Sequence, residues 1–299
     1  MARCLMLLGL IAVACREPPP PRLPRELPPE TGTQRTRAAV ATIQFHAGEL
    51  TPGTGSDRLR VSVVFADVDR RDEPLLASLA GSHPPQPLPG LDACVRAAGP
   101  HPPAPPVRPK AWLQLLDVGN VALLAGSARL PLRVQLMPAL ADAVRGVRYD
   151  AELTLARAWL ASGALRLQAS GGDGVDAFEA AVPVPRPIHL GAVNAQPVRA
   201  GRVQAPVADG LELRWGSTLG EGVVELDLGA DVPGGLGWLR CRMRDDGNFI
   251  VPVDLLQALP PRTPERPWLA RITRSSEAAI PGFAGQTLRL ELQDAVYVQ

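Results

Sequence analysis

RLRVSVVFADV, residues 58–68, sets Val61, Val63 and Phe65 on one face of an extended chain and Arg60, Ser62 and Val64 on the other. A period of two is the pattern of a half-buried strand. Working outward, alternating or short apolar runs bounded by Gly, Pro or Asp recur at 39–47, 111–116, 122–124, 130–136, 149–155, 164–169 and 177–182, and again from residue 188 onward. Beyond the first fifteen residues, no segment repeats apolar residues at helical spacing for three turns. Two short helical pieces are expected, at 137–144 after Pro138 and at 253–259, the latter framed by Pro252 and Pro260–Pro261. Many short strands with little helix predict a mainly β fold.

VPVPRP, residues 182–187, interrupts any ladder with three prolines, and a fresh strand series starts at Ile188. The pattern predicts two antiparallel β-sandwich domains of immunoglobulin-like or related topology, 38–186 and 187–299, in series. The alternative is one large body whose strands cross residue 187. HPPQPLPG (83–90) and GPHPPAPPVRP (99–109) hold ten prolines between them and read as stiff surface loops.

The N-terminal stretch gives an address. Arg3, the apolar run 5–13 and Ala14 directly before Cys15 form a basic, apolar and small-residue series too short to span a bilayer. Ala12-Val13-Ala14-Cys15 resembles a bacterial lipoprotein signal. Residues 1–14 are then a signal peptide, and Cys15 becomes a lipidated N-terminus that anchors the chain to a membrane. The same letters also satisfy an ordinary Ala-x-Ala cleavage, which would give a secreted or periplasmic protein. From Cys15 to residue 37 the chain is proline-rich with almost no large apolar side chain, so it should be a disordered, extended spacer. It could hold a body about 60 Å from the lipid. Residue 16 is not aspartate, and the resemblance therefore implies an outer membrane.

Without the leader, which contains Arg3 and no carboxylate, 30 basic and 30 acidic side chains remain. That balance excludes the strong basic excess of nucleic-acid binders. HExxH, GxSxG, CxxC and glycine-rich phosphate motifs are all missing. The histidines are His46, His83, His101 and His189, and their spacing suggests no common site. No catalytic residue and no cofactor is therefore expected.

WLRCRMR (238–244), DDGN (245–248) and FIV (249–251) read as a strand, a turn and a returning strand, with Gly247 supplying positive φ. Asp245, Asp246 and Asn248, with Asp173 and Asp176 in GGDGVDAFE, are weak candidates for a calcium site. Calcium needs six to eight oxygens, and turn chemistry explains both clusters more simply. Trp112, Trp159, Trp215 and Trp238 adjoin apolar residues and should pack in cores, whereas a sugar-binding face would need exposed, aligned aromatics. Trp268 stands apart after a breaker-rich segment, yet it too begins a strand. Cys241 falls inside a strand, so burial as an inert thiol is expected. The alternative is a bridge to Cys94, which would need α-carbons within about 7 Å.

Cys94, WLQLLDVGNVALLAG (112–126), GALRLQASGGDGVDAFEAAVPVPRPI (163–188), GVVELDLG (222–229) and WLRCRMRDDGNFIVPVDLLQALP (238–260) together resemble surface lipoproteins of myxobacteria. That resemblance covers most of residues 90–265. It implies a β-rich body behind a leader and spacer, and no established activity. The functional expectation is a non-catalytic cell-envelope lipoprotein with a binding or structural role, its partner another envelope protein or a polysaccharide. The alternatives are a secreted carbohydrate-binding module and an envelope hydrolase with a site between the domains.

Overall fold

The computed structural model describes residues 35–46, 57–69, 73–80, 88–97, 113–140, 144–154, 156–217, 222–230 and 237–299. The leader, Cys15, the spacer as far as residue 34, Trp112 and most of both proline-rich stretches lie outside the described residues, whereas 35–37, expected in the disordered spacer, belong to a strand. Ahead of residue 187 the strands are β1 (Arg35–His46), β2 (Arg58–Asp69), β3 (Ala93–Ala97), β4 (Leu113–Leu115), β5 (Val121–Ala125), β6 (Ala128–Pro131), β7 (Arg133–Leu140), β8 (Val144–Thr154), β9 (Ala164–Ala169) and β10 (Phe178–Pro183). After it come β11 (Leu190–Val193), β12 (Gln196–Pro197), β13 (Arg202–Val203), β14 (Leu211–Trp215), β15 (Val223–Gly229), β16 (Trp238–Arg244), β17 (Asn248–Val251), β18 (Trp268–Ala279) and β19 (Thr287–Val298). Three short helices, α1 (Glu73–Leu79), α2 (Arg157–Leu160) and α3 (Val253–Leu256), complete the described elements. The fold is mainly β, in several sheets with few short helices.

Among the described residues the strands form three sheets. The largest has 11 strands in the order β3-β16-β15-β18-β19-β1-β2-β4-β8-β7, with β13 also beside β19. Two four-stranded sheets, β10-β9-β5-β6 and β12-β11-β14-β17, complete the set. The alternation of RLRVSVVFADV appears as read, with Val61, Val63 and Phe65 fully buried in the first core. β19 shows how the layers relate. Leu288, Leu290 and Leu292 enter the first core and Val296 and Val298 the second, all on one face of the strand. Both small sheets therefore cover the same side of the large one. On the opposite side, α1 packs Leu75, Leu76 and Ala80 against Ala38, Val64, Ala66 and Val68.

Residue 187 falls where the chain passes from the first small sheet to the second, but the large sheet is not divided there. β1 and β2 lie beside β19 and β18, so strands from either side of the expected boundary share one ladder, and residues 34–299 form one compact unit. The pairing is also not antiparallel throughout. β1–β19, β4–β8 and β13–β19 are parallel, which long connections permit. Two local expectations change as well. Residues 137–140 extend β7 past a register shift against β8, so cross-strand pairing replaces the helical turn expected at 137–144. The strands flanking DDGN do not form a hairpin. β16 pairs with β15 and β3, whereas β17 pairs with β14, so the turn carries the chain from one sheet to another. Gly247 has φ 95° there, as the turn demands.

The connector over the large sheet is anchored by side chains of β18 and β19. Pro183, Pro185 and Pro187 have no N–H to offer a ladder, so the segment needs donors for its carbonyls and cannot reciprocate. Ser276 donates to the Pro183 carbonyl. Arg274 Nη1 donates to the carbonyls of Arg186 (2.7 Å) and Pro187 (3.0 Å). Arg274 Nη2 donates to the Gly216 carbonyl and to Asp245 Oδ1, both at 2.8 Å. Arg274 Nε lies 2.7 Å from Asp245 Oδ2. Trp215 Nε1 donates to Asp245 Oδ1 at 2.9 Å. Beyond the prolines, the Leu190 N–H donates to Asp294 Oδ2 at 2.8 Å. Asp245 is fully buried and Arg274 nearly so, which sets a polar seam between the two apolar cores.

Cys241 is buried, but not as a free thiol. It is disulfide-bonded to Cys94, with α-carbons 4.0 Å apart. The reason is register: β3 pairs with β16 so that Cys94 stands directly opposite Cys241. β3 has no strong alternation of its own and lies between proline-rich stretches, so its partner strand could not be read from sequence.

Thiol titration of the unfolded, unreduced protein should find no reactive sulfur at 94 or 241. Reduction should lower unfolding stability by up to about 5 kcal/mol, the loop-closure value for so wide a separation. Arg274→Met should destabilise by about 3–5 kcal/mol in urea unfolding, because Asp245 would be left buried and uncompensated. Adding Asp245→Asn should recover part of that loss.

Candidate functional site

The face of the large sheet opposite the two cores is polar by the same alternation that makes the other face apolar. Cross-strand register converts that alternation into rows. One row runs Arg240–Asp227–Arg271 across β16, β15 and β18. The next contains Arg242, Glu225, Thr273, Gln293, His46 and Arg58, on β16, β15, β18, β19, β1 and β2. A third runs Ser275–Glu291–Gln44–Arg60–Glu152, and a fourth Glu277–Arg289–Thr42–Ser62–Asp150–Arg133. A groove of about 340 Å³ lies over this face, with Arg240, Arg271, Thr273, Arg289, Glu291 and Gln293 in its lining and Ala77 and Leu88 at its side. A second hollow of about 700 Å³ lies at the β2–β8–β7 end, where Arg60, Arg133, Arg148, Asp150 and Glu152 line it.

Charge on this face is heavily cross-linked. Arg289 reaches Glu225 at 3.0 Å, Glu277 at 3.2 Å and Glu291 at 2.9 Å. Burial pulls the Arg289 pKa down, but Glu291, Glu225 and Glu277 outweigh it and hold the guanidinium above its usual value. Arg240 pairs with Asp227 at 2.8 Å, Arg148 with Asp150 at 2.7 Å and Arg58 with Glu152 at 3.0 Å. Glu291 also accepts from the amides of Gln44 (3.1 Å) and Gln293 (2.9 Å). His46 stands at the end of β1, opposite Arg58 and Gln293. Its pKa falls to about 4, first through burial and then through the positive charges of Arg271, Arg58 and Arg60, with Glu152 opposing.

The residues singled out for calcium are dispersed among other tasks. Asp245 is the buried partner of Arg274 and Trp215. Asp246 Oδ1 accepts the Asn248 N–H at 3.2 Å, an Asx-type closure of its own turn. Asp173, at φ 40°, accepts the Asp117 N–H at 2.8 Å. Asp117 Oδ1 in turn accepts the Tyr149 hydroxyl at 2.7 Å, while Tyr149 accepts the Val118 N–H at 2.9 Å. Burial and the bond to Asp117 raise the tyrosine pKa well above its usual value. Asp176 is exposed. Among the described residues, no group of three or more His, Cys, Asp or Glu side chains is placed to hold a metal ion.

His189 lies 3.1 Å from Asp294 on the core side of the large sheet, whereas His46 is on the other side, so the two do not meet. His83 and His101 lie outside the described residues. Trp215, Trp238 and Trp268 are buried, and Trp159 packs against the first core. Trp268 donates through Nε1 to the Pro260 carbonyl at 2.7 Å and carries Arg262 over its ring at 4.9 Å. The three buried rings are closed to a sugar, and Trp159, partly buried, stands without an aligned partner among them.

The charged rows were not singled out from sequence. Their signal is present in RLELQ (289–293) and in the alternation of β18, but only register reveals which charges become neighbours. No protein-family model matches the chain, and no curated protein or solved structure proves similar to it.

His46 gives this face a measurable pH response. A histidine held neutral in the folded state contributes stability that is complete above the unfolded value near 6.5. That contribution should be lost as pH falls from there through about 4. NMR titration of the His46 ring should show the low midpoint, and His46→Gln should flatten the stability profile across this window.

Proposed function

We propose that the chain is a non-catalytic, lipid-anchored cell-envelope protein, carried on a spacer that runs from Cys15 to the start of β1 and probing its surroundings with the polar face of its large sheet. The body is read as two sandwich halves, immunoglobulin-like or related, built on a common sheet. The observation that carries the reading is the Cys94–Cys241 bridge. Disulfides persist in oxidising, extracytoplasmic compartments and are rare in the cytosol, in agreement with the export reading of residues 1–14. The polar face supports binding over catalysis. Each of its carboxylates named above is engaged by an arginine, and the low pKa of His46 suits it poorly to general-base work near neutral pH.

Lipidation is tested directly. Expression in a bacterium supplied with a labelled fatty acid should give a labelled, membrane-bound protein, and Cys15→Ser should abolish both label and membrane retention. An unlabelled wild-type protein recovered in the soluble periplasm would leave the plain-secretion alternative in its place.

A further inference from the structure

The ion pairs of the polar face do not balance its charges. Glu225, Asp227, Glu277, Glu291, Asp150 and Glu152 are all engaged. Arg242, Arg271, Arg60 and Arg133 form no ion pair with any described residue. These four stand on β16, β18, β2 and β7, spread across the large sheet from near one edge to the other. At the ordinary spacing of neighbouring strands, successive members lie about 10–15 Å apart across the sheet. Arg271 lines the groove, Arg60 and Arg133 line the hollow beyond it, and both Arg271 and Arg60 are close enough to His46 to depress its protonation. A neutral imidazole between them adds no further charge and leaves a ring that can still hydrogen-bond.

We propose that this face binds a linear acidic polysaccharide, its carboxylates meeting the surplus arginines Arg271 and Arg60 and its hydroxyls meeting the amides and hydroxyls between them. The inference rests on the envelope-binding reading and supplies its ligand class. Three observations choose this occupant. The arginines are spread over four strands, each in a different row of the face, which suits repeated charges on an extended polymer better than one small anion. The intervening lining is polar, with Gln44, Thr273 and Gln293 among its residues. Among the described residues no aromatic side chain lines the groove or the hollow, so a single-stranded nucleic acid would lack stacking platforms there. Affinity must then come from charge-assisted hydrogen bonds, which favour planar guanidinium–carboxylate pairing.

Calorimetry with the full-length protein tests this, using alginate oligomers as the uronate probe, dextran as the neutral polymer and polyphosphate as the phosphate arm. Alginate should bind, with affinity falling as salt rises, and dextran should not. Arg271→Gln and Arg60→Gln should each weaken alginate binding about tenfold, and Arg199→Gln, at an exposed arginine in the turn between β12 and β13, should leave it unchanged. Melting curves of the variants that match the wild type would place the loss on the surface itself. Absence of alginate binding, equal binding of dextran, or affinity indifferent to both arginine substitutions would overturn the proposal. So would tight polyphosphate binding without alginate binding. Lipid labelling at Cys15 is read separately, so failure of the ligand assignment leaves the anchorage result standing, and the reverse.

Discussion

A chain segment that crosses a protein surface with three prolines in five residues has carbonyls to satisfy and few amides to trade for them. Arg274 answers that constraint. One guanidinium, nearly buried, donates to the carbonyls of Arg186, Pro187 and Gly216 while Asp245 neutralises it. Without that fork the passage between the two small sheets would cover polar groups that have no partner, at a cost of about 1–3 kcal/mol for each. The cation could not be buried without its carboxylate, and the carboxylate is steadied by the Trp215 indole. Covering the large sheet with two separate layers therefore depends on one arginine.

The two faces of that sheet are governed by different rules. The side beneath the small sheets is apolar apart from the seam around Arg274 and Asp245, and its geometry is fixed by packing. On the other side the described residues form one apolar patch, where α1 and β4 meet β1 and β2, and the rows beyond it are organised by charge. A guanidinium serving three carboxylates, as Arg289 does, fixes the spacing of β15, β18 and β19 side chains through charge. Such a network is ordered before any partner arrives, which lowers the entropic cost of recognition.

Most strands were legible because period-two alternation is local. β1, β2, β5, β8, β9 and β10 fall close to where the residue pattern put them. What was not legible depends on partners distant in sequence. ACVRA (93–97) carries no strand signature, and its place opposite β16 is a fact about register. Residues 130–136 read as one strand but split at Leu132, where the chain turns from a small sheet into the large one. EPLLASL (73–79) is too short for periodicity to declare a helix, and it forms because Leu75 and Leu76 find an apolar patch on β1 and β2. Asp245 looked like a turn residue because sequence shows its neighbours and not Arg274, 29 positions away. The charged rows escaped notice for the same reason.

The parallel contact of β1 with β19 also bears on the order of events during synthesis. Gln44 and Glu291, joined by a hydrogen bond, are 247 residues apart. As the chain emerges, β1 and β2 can pair early, but one edge of that pair stays open until β19 has appeared. The first half therefore cannot finish and bank its stability while the second is being made, as a string of independent domains would. Contacts of such long range make for slow assembly and a prolonged interval with unpaired strand edges. A cell making this protein must keep the unfinished chain from aggregating until its last long strand closes the sheet.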